Sequence, residues 1–262
     1  MERYWHFWVD ESPRPGWTNM AVDLALLDRA ELGEGWFRLY TWNPYCLSFG
    51  RHEPAARRYD LDRIQGLGLS TVRRPTGGRA VWHAHELTYA VAAPHRWFGS
   101  LREAYQSIHT LLAGALRSLG VPAALAPRGR TAALDSGPCF AQPAGGEVLV
   151  SQRKIIGSAQ LRRGPALLQH GSVLLENDQS LVEDLLRDCR HPQSHSPTRG
   201  SFTLADNTGR PLLPQEIAAT LSDQVPEGWP GDWDRAPDPS PILRAAASRF
   251  ELFQSSAWTW SR

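Results

Sequence analysis

The first half of the chain alternates short apolar runs with amphipathic ones. YWHFWV, near the N-terminus, is aromatic and β-branched and stops at SPRPG, which predicts a strand followed by a turn. In NMAVDLALLDRAEL the apolar residues Met20, Leu24 and Leu27 recur at helical spacing, with Thr18 or Asn19 as the expected cap. WFRLYTW and CLSFGR predict two short strands across an Asn43-Pro44 turn. PAARRYDLDRI reads as a short polar helix leading to the strand STVRR, and AVWH and LTYAVA as two more strands. SLREAYQSIHTLLAGALRSL carries one apolar helical face and ends at Gly120, with Pro122 just beyond. VPAALA predicts a strand, RGRTAALDSGP a loop, EVLV and KIIGSAQ a hairpin, and ALLQHGSVLL a further strand. After Asn177 the pattern weakens. LVEDLLRDC and PQEIAATLSDQV read as helices around the polar loop HPQSHSPTRGS. PEGWPGDWDRAPDPSP reads as an irregular surface segment, and ILRAAASRFELF as a last helix.

The 262 residues suffice for one large α/β or α+β domain or for two smaller ones. No internal repeat or shift in composition divides them, so residues 1–262 are expected to form a single domain. A hydrophobic content of 42% with 21% charged residues is ordinary for a globular chain. A net charge of +1 gives no reason to expect nucleic acid or a membrane surface as partner. Cys46, Cys139 and Cys189 are widely separated and form no CxxC pair, which argues for a reducing compartment and against a disulfide framework or zinc cluster. MERYWHFWVDES has no uninterrupted apolar h-region, and no run approaches the roughly 20 apolar residues of a spanning helix. A cytoplasmic protein is expected.

Lys154 stands out because every other one of the 28 basic residues is arginine. A lysine offers a compact charge on a slim stem, which a site can require and arginine's planar fork cannot replace. By count alone it is equally a surviving surface charge. Cys139 follows Gly-Pro in a loop, where a thiolate stabilised by a nearby cation could act as a nucleophile, although a lone cysteine is also a common small core residue. Cys46 and Cys189 fit the latter description better. In RRPTGGR, arginines flank the Gly77-Gly78 pair, which suits either an anion held against exposed amides or a hairpin turn without a ligand. His83 and His85, on either side of Ala84, are expected to face opposite ways, so that one alone serves a site. With His170 they match no established metal-ligand spacing, and no metal is expected.

Taken together and in order, NMAVDLALL, YTWNPYCLSFGRH, RRPTGGRAVWHAHELTYAV, SLREAYQSIHTLL, CFAQP and RKIIGSAQLRRGPALLQHGSVLL resemble the biotin/lipoate protein ligase catalytic-domain superfamily across roughly residues 17 to 176. The combination of GGRAVWHAHELTY with CF-x-x-P is most similar to the LipM-type octanoyltransferases. The resemblance implies an α+β fold of the class II synthetase type, a mixed central β-sheet with flanking helices, and a weakly matched helical portion from about residue 177. It also implies an activity: transfer of an octanoyl group from acyl carrier protein to a lysine of a lipoyl-domain protein, such as the glycine cleavage H protein or a 2-oxoacid dehydrogenase E2. Cys139 matches the nucleophile, and Lys154 the residue that orients and polarises the acyl carbonyl. Arg73, Gly77, Gly78 and His83 are expected at the acyl pocket. Gly157, Ser158, Ala159 and His170 are expected to bind substrate, with Val81, Leu87, Tyr89 and Leu168 as candidate channel walls. Because both steps stay at the thioester level, no ATP or other cofactor is implied.

One departure is Ala84, where many family members carry aspartate after the histidine. The rival function is an ATP-dependent lipoate-protein ligase, which needs no cysteine. A lipoyl-domain or carrier-binding scaffold without catalysis is a third reading, opposed by the presence of both Cys139 and Lys154. A biotin ligase is disfavoured because the loop reads RRPTGGR rather than G-R-G-R.

Overall fold

The structure is a computed structural model that describes residues 2–127, 145–176, 179–187 and 203–261. Cys139, Cys189 and the loop sequences around them lie outside the described residues.

In chain order the elements are β1 (Tyr4–Val9), α1 (Gly16–Glu31), β2 (Gly35–Tyr40), β3 (Cys46–Phe49), α2 (Ala55–Arg58), α3 (Leu61–Gly66), β4 (Ser70–Arg73), β5 (Val81–His83) and β6 (Glu86–Pro94). There follow α4 (Leu101–Ser118), β7 (Ala124–Leu125), β8 (Val148–Val150), β9 (Arg153–Lys154), β10 (Ile156–Arg163) and β11 (Ala166–Leu174). The C-terminal part adds α5 (Ser180–Asp184), α6 (Leu204–Thr208), α7 (Pro214–Gly228), β12 (Asp232–Asp234), α8 (Ser240–Ala247), α9 (Phe250–Gln254) and α10 (Ser256–Thr259).

A six-stranded mixed sheet in the order β10-β11-β6-β2-β1-β12 forms the centre. β10, β11, β6 and β2 pair antiparallel, whereas β1 lies parallel to both β2 and β12. Strand alternation sends one set of side chains, including Phe37, Leu39, Tyr89 and Val91, into a core shared with α4 and α7. The other set, including Tyr40, Ala90, Ala92 and Leu168, meets α1, α8 and α9. Two small sheets complete the fold: β4-β3-β5 beside the α1 face, and β7-β8-β9.

This is the α+β architecture expected from the sequence, with local differences. Helix α1 starts at Gly16 behind Pro15, not at Thr18 or Asn19. The Asn19 side chain instead donates to the carbonyls of Arg14 and Thr41, tying the first turn to the end of β2. Gly16 leaves no room for a side chain, since a Cβ there would sit 2.6 Å from Cys46 Sγ. The stretch after residue 225 is more ordered than its proline content suggests. Helix α7 runs through Pro226 to Gly228, and Trp229 and Trp233 stack on Trp5 at centroid distances of 5.0 and 5.2 Å, seating β12 beside β1. The expected last helix is broken into two short ones, α8 and α9, and α10 follows them. EVLV and KIIGSAQ pair only through β8 and β9. The chain then crosses at Ile155 into β10 of the central sheet. Among the described residues no helix is long and apolar enough to cross a membrane.

Candidate active site

At the β10 edge of the central sheet, the α1 face and the β4-β3-β5 sheet enclose a narrow cavity. Gly157 and Ala159 of β10 and His170 and Ser172 of β11 form one wall, and Arg74, Gly78, Val81 and His83 the opposite one. Met20, Tyr40, Trp42 and Thr88 line it further in.

The glycine turn is shaped by its neighbours. Gly78 has φ +89, a conformation suited to glycine, and its carbonyl lies so close to Gly50 that a Cβ there would sit 1.8 Å from the oxygen. Arg74 braces the turn: Nη2 donates to the carbonyls of Gly77 and Arg79, and Nη1 to Ser48 O and Oγ. Two buried histidine relays support the walls. His170 Nδ1 donates to Asp23 Oδ2 at 2.8 Å, leaving Nε2 to accept from Thr76 Oγ1 at 2.6 Å. Arg38 and Tyr40 also donate to Asp23, so this buried carboxylate is compensated on several sides. Burial, and then the Asp23 charge, push the Tyr40 phenol well up, which keeps it a neutral donor. His83 Nδ1 donates to Glu86 Oε1 at 2.6 Å, and Nε2 accepts from Ser48 Oγ at 2.6 Å. Burial outweighs the Glu86 carboxylate and lowers the His83 pKa.

Lys154 is buried, 5% exposed, at the second position after the two-residue turn Ser151–Gln152, whose positive φ values of 50 and 64 suit a tight hairpin. Its Nζ lies 2.6 Å from Glu147 Oε1. Register explains the pairing: Lys154 lies opposite Leu149, so Glu147 is its diagonal neighbour on the same face. Beside the pair, His109 Nδ1 donates to Gly146 O at 2.7 Å, and Nε2 accepts from Ser158 Oγ at 2.8 Å. Burial drives His109 down to about 4, with the Lys154 charge acting in the same sense, so its imidazole is neutral at ordinary pH. The Tyr89 hydroxyl accepts from Gln169 at 2.8 Å and donates to Ser158 Oγ at 2.6 Å, which gives the chain a single direction ending at the Gly146 carbonyl.

The structure brings Gly78, His83, Gly157, Ser158, Ala159 and His170 together around the cavity, with Val81; Lys154 is not among the residues that line it. Other expected residues lie elsewhere. Arg73 does not line the cavity. Fully buried, it donates to the carbonyls of Gly50 and Glu53 and to those of Trp258 and Thr259, pinning the C-terminal segment. β4 ends at Arg73, and Arg74, the residue just past the strand, takes the place expected of Arg73. Gly77 contributes its carbonyl to Arg74 but is not part of the lining. Ser158 borders the cavity, yet strand alternation turns its hydroxyl to the α4 side. Leu87 and Tyr89 belong to the α4-side core and Leu168 to the α1-side core, and none of the three lines this cavity. His83 and His85 do diverge, but not by alternation, which would place residues i and i+2 on one face. β5 ends at His83, and His85, with φ 48, turns outward and is exposed. Cys139, the expected nucleophile, lies outside the described residues. Asp23, Trp42, Arg74, His109 and Glu147 were not singled out by sequence.

The model of the lipoyl protein ligase A/B catalytic domain matches residues 15–225. Octanoyltransferase LipM of Carboxydothermus hydrogenoformans is 40% identical over 188 residues, covering 70% of this chain and 68% of that one. Octanoyltransferase LipM of Symbiobacterium thermophilum is 38% identical over 227 residues, 81% of each chain. Among solved structures, lipoate-protein ligase A bound with ATP superposes with a TM-score of 0.79 at 20% identity, covering 99% of both chains. A bi-partite lipoate protein ligase from Thermoplasma acidophilum gives 0.74 at 19% identity, covering 99% of this chain and 96% of that one. At such identities these two structures speak for the fold alone. The chain belongs to the family of lipoyl protein ligase A/B catalytic domains.

Proposed function

We propose that this protein is an octanoyltransferase of protein lipoylation, taking the octanoyl group from acyl carrier protein and delivering it to a lysine of a lipoyl-domain protein. The observation that carries this reading is the narrow cavity walled by Gly78, Val81, His83, Gly157, Ala159 and His170, with the buried Lys154–Glu147 pair just before the edge strand β10. The relatives named octanoyltransferases support the choice of acyl group.

In the proposed sequence the Cys139 thiolate attacks the thioester carbonyl, and the carrier thiolate departs and takes up a proton. The acyl group is then held as a Cys139 thioester. The Lys154 ammonium, kept in place by Glu147, stabilises negative charge developing on the carbonyl oxygen. The acyl tail lies in the cavity against Gly78, Val81, Gly157 and Ala159. The neutral amine of the acceptor lysine then attacks the same carbonyl, its nitrogen gives up a proton to solvent, an amide forms, and the Cys139 thiolate leaves. Thioester energy drives both steps, so no nucleotide is consumed.

The test is transfer from octanoyl-acyl carrier protein to a purified lipoyl domain without ATP, followed by the mass of the domain. A gain of one octanoyl group supports the proposal. Modification only with free acid and ATP would assign the ligase reaction instead.

A further inference from the structure

We propose that His109 is a positioning residue for Lys154: its hydrogen bond to the Gly146 carbonyl fixes the approach to β8, and with it the Glu147 carboxylate that holds the lysine ammonium. The inference rests on the reading of Lys154 as the group that stabilises charge on the acyl carbonyl, and adds to it the residue that keeps that group in place.

His109 is fully buried on the inner face of α4, beside Ile108 and Leu112. A leucine would suit that apolar face, so the imidazole is accounted for by its polar partners. Nδ1 donates to Gly146 O at 2.7 Å, and Nε2 accepts from Ser158 Oγ at 2.8 Å. The first bond reaches the residue just before Glu147. The second reaches β10, whose Gly157 and Ala159 wall the cavity. One ring therefore ties α4 both to the carboxylate of the Lys154 pair and to the cavity wall. Gly146, with φ +88, is held from its other side as well: its N–H donates to Ala126 O at 3.0 Å, and the Ala126 N–H donates to Glu147 O at 2.7 Å. The stretch of sequence that carries Cys139 runs between these two anchored points, Ala126 and Gly146.

The lysine depends on this anchoring. Its stem is long and flexible, so the place of the ammonium is set by the group it pairs with. Glu147 Oε1, 2.6 Å away, follows the Gly146 peptide directly, and a shift of that peptide is passed on to the ammonium. A cation that stabilises a developing oxyanion acts only within hydrogen-bond reach of it, and small displacements are costly in rate. His109 does not line the cavity, so it acts through Glu147. The bonds also run one way: Gln169 donates to Tyr89, Tyr89 to Ser158, Ser158 to His109, and His109 to Gly146. This order needs a neutral ring with its proton on Nδ1, and burial keeps the ring neutral.

The experiment measures kcat and KM for octanoyl-acyl carrier protein, with a lipoyl domain as acceptor, in wild type, His109→Asn and His109→Gln, together with the thermal unfolding of each. The asparagine amide nitrogen stands where Nδ1 stands and can donate to Gly146, whereas glutamine reaches the position of Nε2 and meets Ser158 instead. Both variants should unfold at a lower temperature than wild type. In His109→Gln, kcat should fall by about tenfold or more with KM for the donor within about threefold of wild type, because the positioned ammonium shifts while the cavity lining stays intact. His109→Asn should recover kcat to within about threefold of wild type. A folded His109→Gln with wild-type kcat would make His109 a merely structural residue and overturn the inference, as would His109→Asn no better than His109→Gln. Nitrogen NMR of the imidazole in wild type needs no variant: a neutral ring with Nδ1–H is expected at neutral pH, and a charged ring or Nε2–H would also overturn the inference. Wild type that carries this tautomer but transfers no octanoyl group would instead sink the reading of Lys154 on which the inference stands, which separates the two failures.

Discussion

Lys154 Nζ and Glu147 Oε1 lie 2.6 Å apart across the β8–β9 hairpin, with each residue only 5% exposed. A pair buried to this degree costs desolvation and regains it through close contact. Removing the lysine alone strips Glu147 of this partner. Lys154→Met should therefore lower stability by about 3–5 kcal/mol as well as abolish transfer. Adding Glu147→Leu to Lys154→Met should restore much of the stability in urea unfolding and none of the activity. Recovery of transfer in the double variant would contradict the assigned role.

Stability should fall on acidification through His109. Its folded pKa of about 4 lies below the ordinary histidine value of 6.5, so between these pH values the unfolded chain binds the proton and the folded one does not. The contribution is complete above about pH 6.5 and is lost as pH falls toward 4; His83, also lowered, acts in the same direction. The loss from His109 should be of the order of 2–4 kcal/mol. Denaturant unfolding between pH 7.5 and 4.5 should show a shallower dependence in His109→Gln.

Arg73 and Arg74, adjacent in sequence, should separate cleanly on substitution. Arg73→Met loses buried hydrogen bonds to the C-terminal carbonyls and should lower the melting temperature, with kcat/KM per folded molecule little changed. Arg74→Met releases the glycine turn and should raise KM for the acyl donor. Thermal unfolding and steady-state kinetics on both variants check the assignment.

Gly50→Ala should damage the site from a distance. The new methyl would have to displace the Gly78 carbonyl, because backbone at 1.8 Å cannot be avoided by a side-chain rotation. Loss of at least about tenfold in kcat/KM is expected, in keeping with the cost of small displacements in a positioned site. A variant with normal kinetics would mean that the turn is not part of the acyl site.

Much of the fold was legible because its signals are local. The alternation in LTYAVA and ALLQHGSVLL, the face of SLREAYQSIHTLL and the order of the motifs all lead to the central sheet and its helices. Of the cavity lining, Gly78, Val81, His83, Gly157, Ser158, Ala159 and His170 were legible in the motifs. Which of two neighbouring arginines meets the cavity depends on where β4 ends, and strand ends are not marked by residue type alone. Glu147 could have been found, since the hairpin register makes it the diagonal neighbour of Lys154. His109 looks like one more member of an apolar helix face until Gly146 and Ser158 are seen beside it. The tryptophans after residue 225 were masked by prolines and glycines, which mark turns but say nothing of the packing of the rings on Trp5.

The most direct measurement of the central claim is the intact mass of the protein after mixing with octanoyl-acyl carrier protein without ATP, beside a Cys139→Ala control. The account predicts a gain of one octanoyl group that hydroxylamine removes and the control lacks. An unchanged mass, together with lipoyl-domain modification that requires ATP and free acid, would contradict it.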